Sequence, residues 1–373
     1  MPWLNLPFPS LIYLVVFWNT TLLQAPLNSF PKFSPNIRQL SFYVEHKPGN
    51  IEHSYLCRWQ NLCSVITPTF PLGMDDLVDL SRISTLTHLE FAVGRTLPDP
   101  DSPLSFANLH ELILRSGSLK SISRLLGHIR LPAITDFRVW ITDGPSRREL
   151  ASFFTSVLTS QDGHTIKKLS LIQMEPQSDH VRSEALLLGL EDLRPCMALS
   201  NLGHLRFSVE CNVCLTDSDL LTLTSAWPKL QDLRINPGWG WHSQYGITPD
   251  GLVRLWQTCP SLSHIELRLD VRGYTRVPPS EASESLRDRL TIPPTVTINV
   301  LDAAIEAESV PAVATFFCGI AACCGSSFWL GCWDSWIINQ ISNAKEYKGR
   351  WGGVRERVYE PGSPCDSRVP HEF

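Results

Sequence analysis

The sequence predicts an α/β chain of stacked helix–strand units, and three observations predict it. First, LTDSDLLTLTSAWPKLQDLRI (Leu215 to Ile235) aligns on ITPDGLVRLWQTCPSLSHIELRL (Ile247 to Leu269) at an offset of 32 residues. Thr216 falls on Thr248, Leu220 on Leu252, Leu223 on Leu255, Pro228 on Pro260, Leu230 on Leu262, Leu233 on Ile265 and Ile235 on Leu267. Second, a strand pattern of apolar-x-x-apolar-x-apolar recurs along the chain, mostly at intervals of about 23 to 36 residues. Third, apolar residues at helical spacing fill several of the gaps between those strands.

Each part of the repeat has a physical reason. Thr216 and Thr248 accept the open N–H groups of a helix start, and Pro249 sits in the first turn, where a helix tolerates it. Pro228 and Pro260 lack the N–H that a helix interior needs, so each helix stops before them. The last two apolar strand positions point to one side, as period two requires. The pattern reads as Ile37/Leu40/Phe42, Leu86/Leu89/Phe91, Leu109/Leu112/Leu114, Ile134/Phe137/Val139, Ile166/Leu169/Leu171 and Leu202/Leu205/Phe207. It returns in the two aligned units and, degraded, in Thr295 to Val300. Leu119, Ile122, Leu125, Leu126 and Ile129 mark one helix face; Leu150, Phe154, Val157 and Leu158 mark another. No such unit buries its apolar row alone, so neighbours stack. The expected product is a leucine-rich-repeat solenoid over residues 36–300, with strands on a concave face and helices outside. Its repeats are longer and less even than the roughly 20–29 residues usual for such repeats.

Composition narrows the function. The chain has 373 residues, 43% hydrophobic, with a formal net charge of -5. That balance supports a continuous core and argues against a nucleic-acid partner or an anionic membrane surface. The eleven cysteines are odd in number and several stand in apolar surroundings, as buried reduced thiols of a cytoplasmic or nuclear protein do. Cys211 and Cys214 have the spacing of half a zinc site, with no second pair to complete it, so no metal and no cofactor are expected. The sequence carries no phosphate-binding Gly-rich loop, nucleophile elbow or His-Glu-x-x-His. His110 beside Glu111, and His264 near Glu266, read as surface residues of strands. A binding role rather than an enzyme is the expectation.

The two aligned units resemble the cysteine-containing leucine-rich repeats of F-box proteins, and most closely the fungal F-box-like group. The shared features are the Thr-Asp helix start, the leucine pair, Cys259-Pro260 and the strand leucines; Trp227-Pro228 departs at the cysteine. The resemblance implies a protein substrate held on the repeat face and a cullin ubiquitin ligase reached through an adaptor. An F-box is not evident in residues 1–35, and Leu56 to Cys63 gives only a Cys-Arg-Trp echo of its end.

Candidate partner contacts fall in two groups. Outward strand positions are Glu90, Glu111, Arg138, Ser170, Arg206, Arg234 and Glu266, placed opposite the core by the period of two; their mixed charges suit a polar protein. The loop Pro237 to Gly246 adds Trp239, Trp241, His242 and Tyr245, residue types that anchor binding hot spots and equally types that fold back over a core. At the ends, residues 1–35 form an apolar segment without a charge before Lys32, packed on the first repeat or a truncated start. Residues 301–345 read as a capping helix region with Ser309 as the cap, and Val313, Phe316, Phe317 and Ile320 on one face. The rival for Ser309 to Trp333, 25 residues without a charge, is a membrane helix anchoring the repeats. Residues 346–373 read as a polar tail.

Overall fold

The structure is a computed structural model in which residues 11–18, 34–44, 58–94, 103–161, 165–174, 186–241, 246–275, 292–324, 327–332 and 344–359 are described. The chain divides into two compact units, residues 1–180 and 181–373. Each is built on a parallel, unclosed ladder of short strands with helices packed behind it, the α/β architecture of leucine-rich repeats.

In the first unit the strands are β1 (Tyr13–Trp18), β2 (Gln39–Val44), β3 (Ser64–Leu72), β4 (His88–Val93), β5 (Leu104–Ser105), β6 (Glu111–Ser116), β7 (Ile129–Arg130), β8 (Asp136–Ile141) and β9 (Lys168–Gln173). The ladder runs β1-β2-β3-β4-β6-β8-β9, and β5 pairs separately with β7. Behind it lie α1 (Met74–Ser81), α2 (Leu119–His128) and α3 (Arg147–Ser160). Leu14, Leu40, Val65, Leu89, Leu112, Phe137 and Leu169 stand in one register row. From Leu40 onward the row is buried. Ser146 caps α3 by accepting from the Glu149 N–H, while the Glu149 carboxylate accepts from the Ser146 N–H at 2.9 Å.

Two strands of this unit differ from expectation. Ile37 and Leu86 are 49 residues apart, about twice the neighbouring interval, and β3 fills that gap. Its pattern is Leu62, Val65, Thr67; the third position is a threonine, yet it is buried, its hydroxyl donating to Glu90 O. The apolar N-terminal stretch supplies a strand as well. Leu11, Leu14 and Val16 repeat the template, and β1 pairs parallel with β2. The segment thus joins the first repeat as one more rung.

The second unit has β10 (Leu186–Leu188), β11 (His204–Ser208), β12 (Cys211–Val213), β13 (Asp232–Ile235), β14 (His264–Glu266), β15 (Thr295–Asn299) and β16 (Ser327–Gly331), with α4 (Leu190–Leu193), α5 (Asp217–Thr224), α6 (Pro249–Thr258), α7 (Val310–Cys323) and α8 (Ala344–Tyr359). Its ladder runs β11-β13-β14-β15-β16. Leu205, Leu233, Ile265, Ile298 and Leu330 form its buried row. The aligned repeats are joined helix to helix. The Asp217 carboxylate accepts from the Thr248 N–H at 2.9 Å and from its hydroxyl at 2.6 Å, and Thr248 Oγ1 in turn accepts from Gly251 N at 3.0 Å. A β-carbon at Gly251 would collide with that carboxylate. Cys259, the repeat cysteine, donates its thiol to Thr224 O and Trp227 O of the preceding unit at 3.6 and 3.5 Å. Burial pushes that thiol up to about 11. Buried tryptophans spend their indole N–H on carbonyls inside each unit: Trp59 on Ser34, Trp227 on Cys196, Trp256 on Leu262 and Trp351 on Ala303.

The C-terminal region corrects three expectations. Ser309 to Trp333 is no single helix: α7 has 14 residues and β16 follows it. At 1.5 Å per residue α7 spans roughly 21 Å, short of the ~30 Å hydrocarbon layer. Among the described residues no helix is long and apolar enough to cross a membrane. Ser309 makes no side-chain capping bond, because a 3-10 turn, Ala307–Ser309, leads into the helix and buries its hydroxyl. Val313, Phe316, Phe317 and Ile320 are buried as the spacing predicts. Residues 346–359, expected as polar tail, belong to α8, whose Trp351, Val354 and Val358 are buried. That helix carries Gly349, Gly352 and Gly353, each costing about 1 kcal/mol against alanine, so it is held by docking more than by propensity.

One buried carboxyl gives a pH test. Asp76 in α1 accepts from Gly73 N at 2.8 Å, and burial raises its pKa to about 6. The folded chain therefore binds this proton more tightly than the unfolded chain. Stability from this group rises as pH falls from about 6 toward 4 and is lost as pH climbs through about 6. Relative to Asp76→Asn, the wild type is expected to gain stability between pH 7 and pH 4.5 in urea titrations; a difference that stays constant with pH contradicts this.

Candidate protein-recognition face

Outward residues of the first ladder form three rows. The first is Gln39, Ser64, His88, Glu111, Asp136 and Lys168; the second is Ser41, Ile66, Glu90, Ile113, Arg138 and Ser170. Ala92, Arg115, Trp140 and Ile172 make up the third. Parallel pairing sets adjacent strands about 4.8 Å apart, so charges in neighbouring strands meet side by side.

They meet as pairs. Arg138 forms a two-pronged bond to Asp136, Nε to Oδ1 at 2.9 Å and Nη2 to Oδ2 at 2.7 Å, and lies 3.2 Å from Glu111. His88 Nδ1 is 2.8 Å from the other Glu111 oxygen, and Lys168 is 3.6 Å from Asp136. Arg115 donates to Glu90 at 2.7 Å while its guanidinium stacks over the Trp140 ring, 4.3 Å from the centroid. The second unit repeats the clamp. Arg234 grips Asp232 at 2.8 Å through both prongs and reaches Glu266 at 3.3 Å; His204 stands 3.8 Å from Asp232. The hydrogen bond to the aspartate at i−2 is the main reason both arginines have raised pKa values. Sequence reading singled out the arginines but missed the Asp-x-Arg motif on β8 and β13 that fixes them.

The expected contact residues distribute unevenly. Glu90, Arg138 and Ser170 lie in one row of the first unit, and Arg206, Arg234 and Glu266 in one row of the second. Glu111 is a register row earlier than expected. The residue between the paired core positions Leu112 and Leu114 is Ile113, only 8% exposed. Arg206 is exposed, and among the described residues no ion pair is seen for it. Trp140, which sequence reading passed over, is partly buried and lies on this face, whose first strands also carry the exposed, stacked pair Phe17 and Tyr43, ring centroids 5.4 Å apart. Trp140 follows Val139, where the strand alternation would have marked it.

The tryptophan loop belongs elsewhere. Trp239 is 7% exposed and Trp241 is fully buried, which takes them out of the recognition face. Trp241 donates its indole N–H to Ile235 O at 2.8 Å and its backbone N–H to the buried Asp302 carboxylate at 3.0 Å. Asn236 turns the chain with φ 60°. Its side chain accepts from Val209 N and donates to Gly240 O and Cys211 O. Gly240 has φ 75° and lies against Asp302, a conformation that favours glycine. His242 and Tyr245 lie outside the described residues. Cys211 and Cys214 likewise serve packing: Cys211 is buried, with its thiol pKa pushed up by desolvation, and Cys214 donates to Leu188 O at 3.2 Å. Among the described residues no cluster of His, Cys, Asp or Glu is placed to hold a metal ion.

The fold is a solenoid of leucine-rich-repeat architecture. No family model matches the sequence, and no curated protein matches it. Among solved structures the chain is similar to the TLR13–ssRNA13 complex, at 13% identity and TM-score 0.42, over 82% of this chain and 42% of that one. It is also similar to the Rad7 and Elc1 complex in yeast, at 13% identity and TM-score 0.33, over 85% of this chain and 69% of that one. The chain therefore spans less than half the length of the TLR13 chain it matches.

Burial of Trp241 sets a stability expectation. Trp241→Ala leaves a cavity and orphans Ile235 O, and is expected to cost about 3–5 kcal/mol in denaturant unfolding. A loss under about 1 kcal/mol would contradict the packing assigned to it.

Proposed function

We propose that this protein is a protein-recognition module that holds a polar protein partner on the outward face of its strand ladders. The observation that carries this reading is the Arg115–Trp140 stack set among charges that already pair with one another. Such a face is close to neutral as a whole, so it gains little from a highly charged polymer. It offers a partly buried aromatic, ordered by a cation and rimmed by fixed carboxylates and guanidinium groups, as interface hot spots are. Ile66 and Ile172 add apolar area in the flanking strands, at positions that cost nothing to the core.

The finer reading is a substrate-recognition subunit of F-box type, working with a cullin ligase in the cytoplasm or nucleus. It is supported by the Thr-Asp helix start, the Cys259-Pro260 stop and the thiol of Cys259 tying its repeat to the one before. The rival is a repeat scaffold outside ubiquitin chemistry. One experiment addresses both readings. Tagged wild type and Trp140→Ala are captured from cells and their companions quantified by mass spectrometry, with melting measured alongside. The recognition reading expects a companion protein that falls at least about tenfold in the variant while melting is unchanged. It is overturned if every companion other than a cullin and its adaptor is equal in both samples. A cullin and its adaptor captured by both forms support the ligase reading, and their absence from both favours the scaffold.

A further inference from the structure

We infer that the outer edge of β16 is an interface for a second copy of this chain, held shut by Tyr359. The edge follows from the pairing. Ser327 N donates to Pro294 O, and Gly331 O accepts from Val300 N, so residues 327 and 331 face β15. Alternation along the strand turns the N–H and C=O groups of Phe328 and Leu330 to the outer side. Tyr359, the last residue of α8, occupies two of those groups with one hydroxyl. Its Oη accepts from Leu330 N at 2.9 Å and donates to Phe328 O at 3.3 Å. A side chain here does what a neighbouring strand does elsewhere in the ladder.

The same groups are self-complementary. Placed antiparallel across a two-fold axis at Trp329, Phe328 of one copy faces Leu330 of the other, and the two residues exchange both backbone hydrogen bonds, as a hydrogen-bonded antiparallel pair does. The axis repeats that exchange. It also sets Trp329 opposite Trp329 in the close, non-hydrogen-bonded position, where aromatic pairs stabilise. Trp329 is already 43% exposed and lies over Gly331, where any β-carbon would displace it. A two-fold contact of this kind closes on itself and stops at a dimer, which is why a second copy, and not an open series, is the occupant.

The closing contact sits at the end of an anchored helix. α8 is held by the buried Trp351, Val354 and Val358, by Trp351 Nε1 on Ala303 O and by Arg350 on Ile305 O, each at 2.9 Å, and its last residue, Tyr359, reaches the edge. Edge strands left open are templates for pairing, and natural proteins guard them with side chains or covering elements. Tyr359 is that guard, and α8 positions it.

The test uses the full chain with Tyr359→Ala, which removes both the hydroxyl and the ring that stands at the edge and leaves the buried residues that anchor α8 in place. Sedimentation equilibrium over a concentration series is expected to show dimerisation at least about tenfold tighter than in the wild type, because each of the two copies no longer gives up the two hydrogen bonds of its Tyr359 hydroxyl. Hydrogen exchange at the Leu330 amide is expected to speed up in dilute samples. Adding Trp329→Lys sets like charges opposite each other and is expected to restore the wild-type mass. The inference is overturned by a Tyr359→Ala chain that associates no more than wild type, by a Leu330 amide as protected as in wild type, or by association that Trp329→Lys leaves unchanged.

Discussion

In-register parallel pairing is the interaction on which the rest of this structure depends. A single unit has one apolar row and nothing to cover its flanks. The neighbour supplies the cover only if Leu40 meets Val65, Val65 meets Leu89, and so on to Leu169. A slip of one residue would turn every such side chain outward. The second unit depends on the same condition through Leu205, Leu233, Ile265, Ile298 and Leu330. Helix-to-helix links such as Asp217–Thr248 reinforce the register from behind.

The outward face inherits its geometry from that condition. Once core residues are stacked, the residues between them are stacked too, and their chemistry must suit side-by-side neighbours. The chain answers with aspartate two residues before arginine on β8 and again on β13, each arginine also reaching an acid on an adjacent strand. Ion pairs of this exposure contribute little stability, about 0–1 kcal/mol each. Their effect is to hold side chains in fixed places, and preorganised groups lose less entropy when a partner arrives. The face is thus ordered before binding, with Trp140 beneath the Arg115 guanidinium.

The strand order and most of the core were legible in the sequence because period-two and helical spacing are local signals. β3 was hidden by Thr67, a polar residue in a core position whose hydroxyl is satisfied by the neighbouring backbone; only the 49-residue gap betrayed it. The N-terminal strand read only as an apolar segment because all its residues are uncharged, although Leu11, Leu14 and Val16 carry the repeat spacing. The candidate site was half legible. Outward arginines and glutamates followed from alternation, but their pairing depends on which strand lies next door. Burial of Trp241 depends on Asp302, sixty-one residues away, and α8 on Ala303 and Ile305. Such contacts leave no local pattern.

The claim that the outward strand face takes the partner is tested most directly by footprinting. The chain alone and in complex with a captured companion would be labelled with hydroxyl radicals and read residue by residue. Protection is expected at Trp140, Ile172 and the neighbouring outward positions, with the partly exposed helix residue Leu158 of α3 unchanged. Protection concentrated on α2 and α3, with Trp140 labelled as in the lone chain, would contradict it.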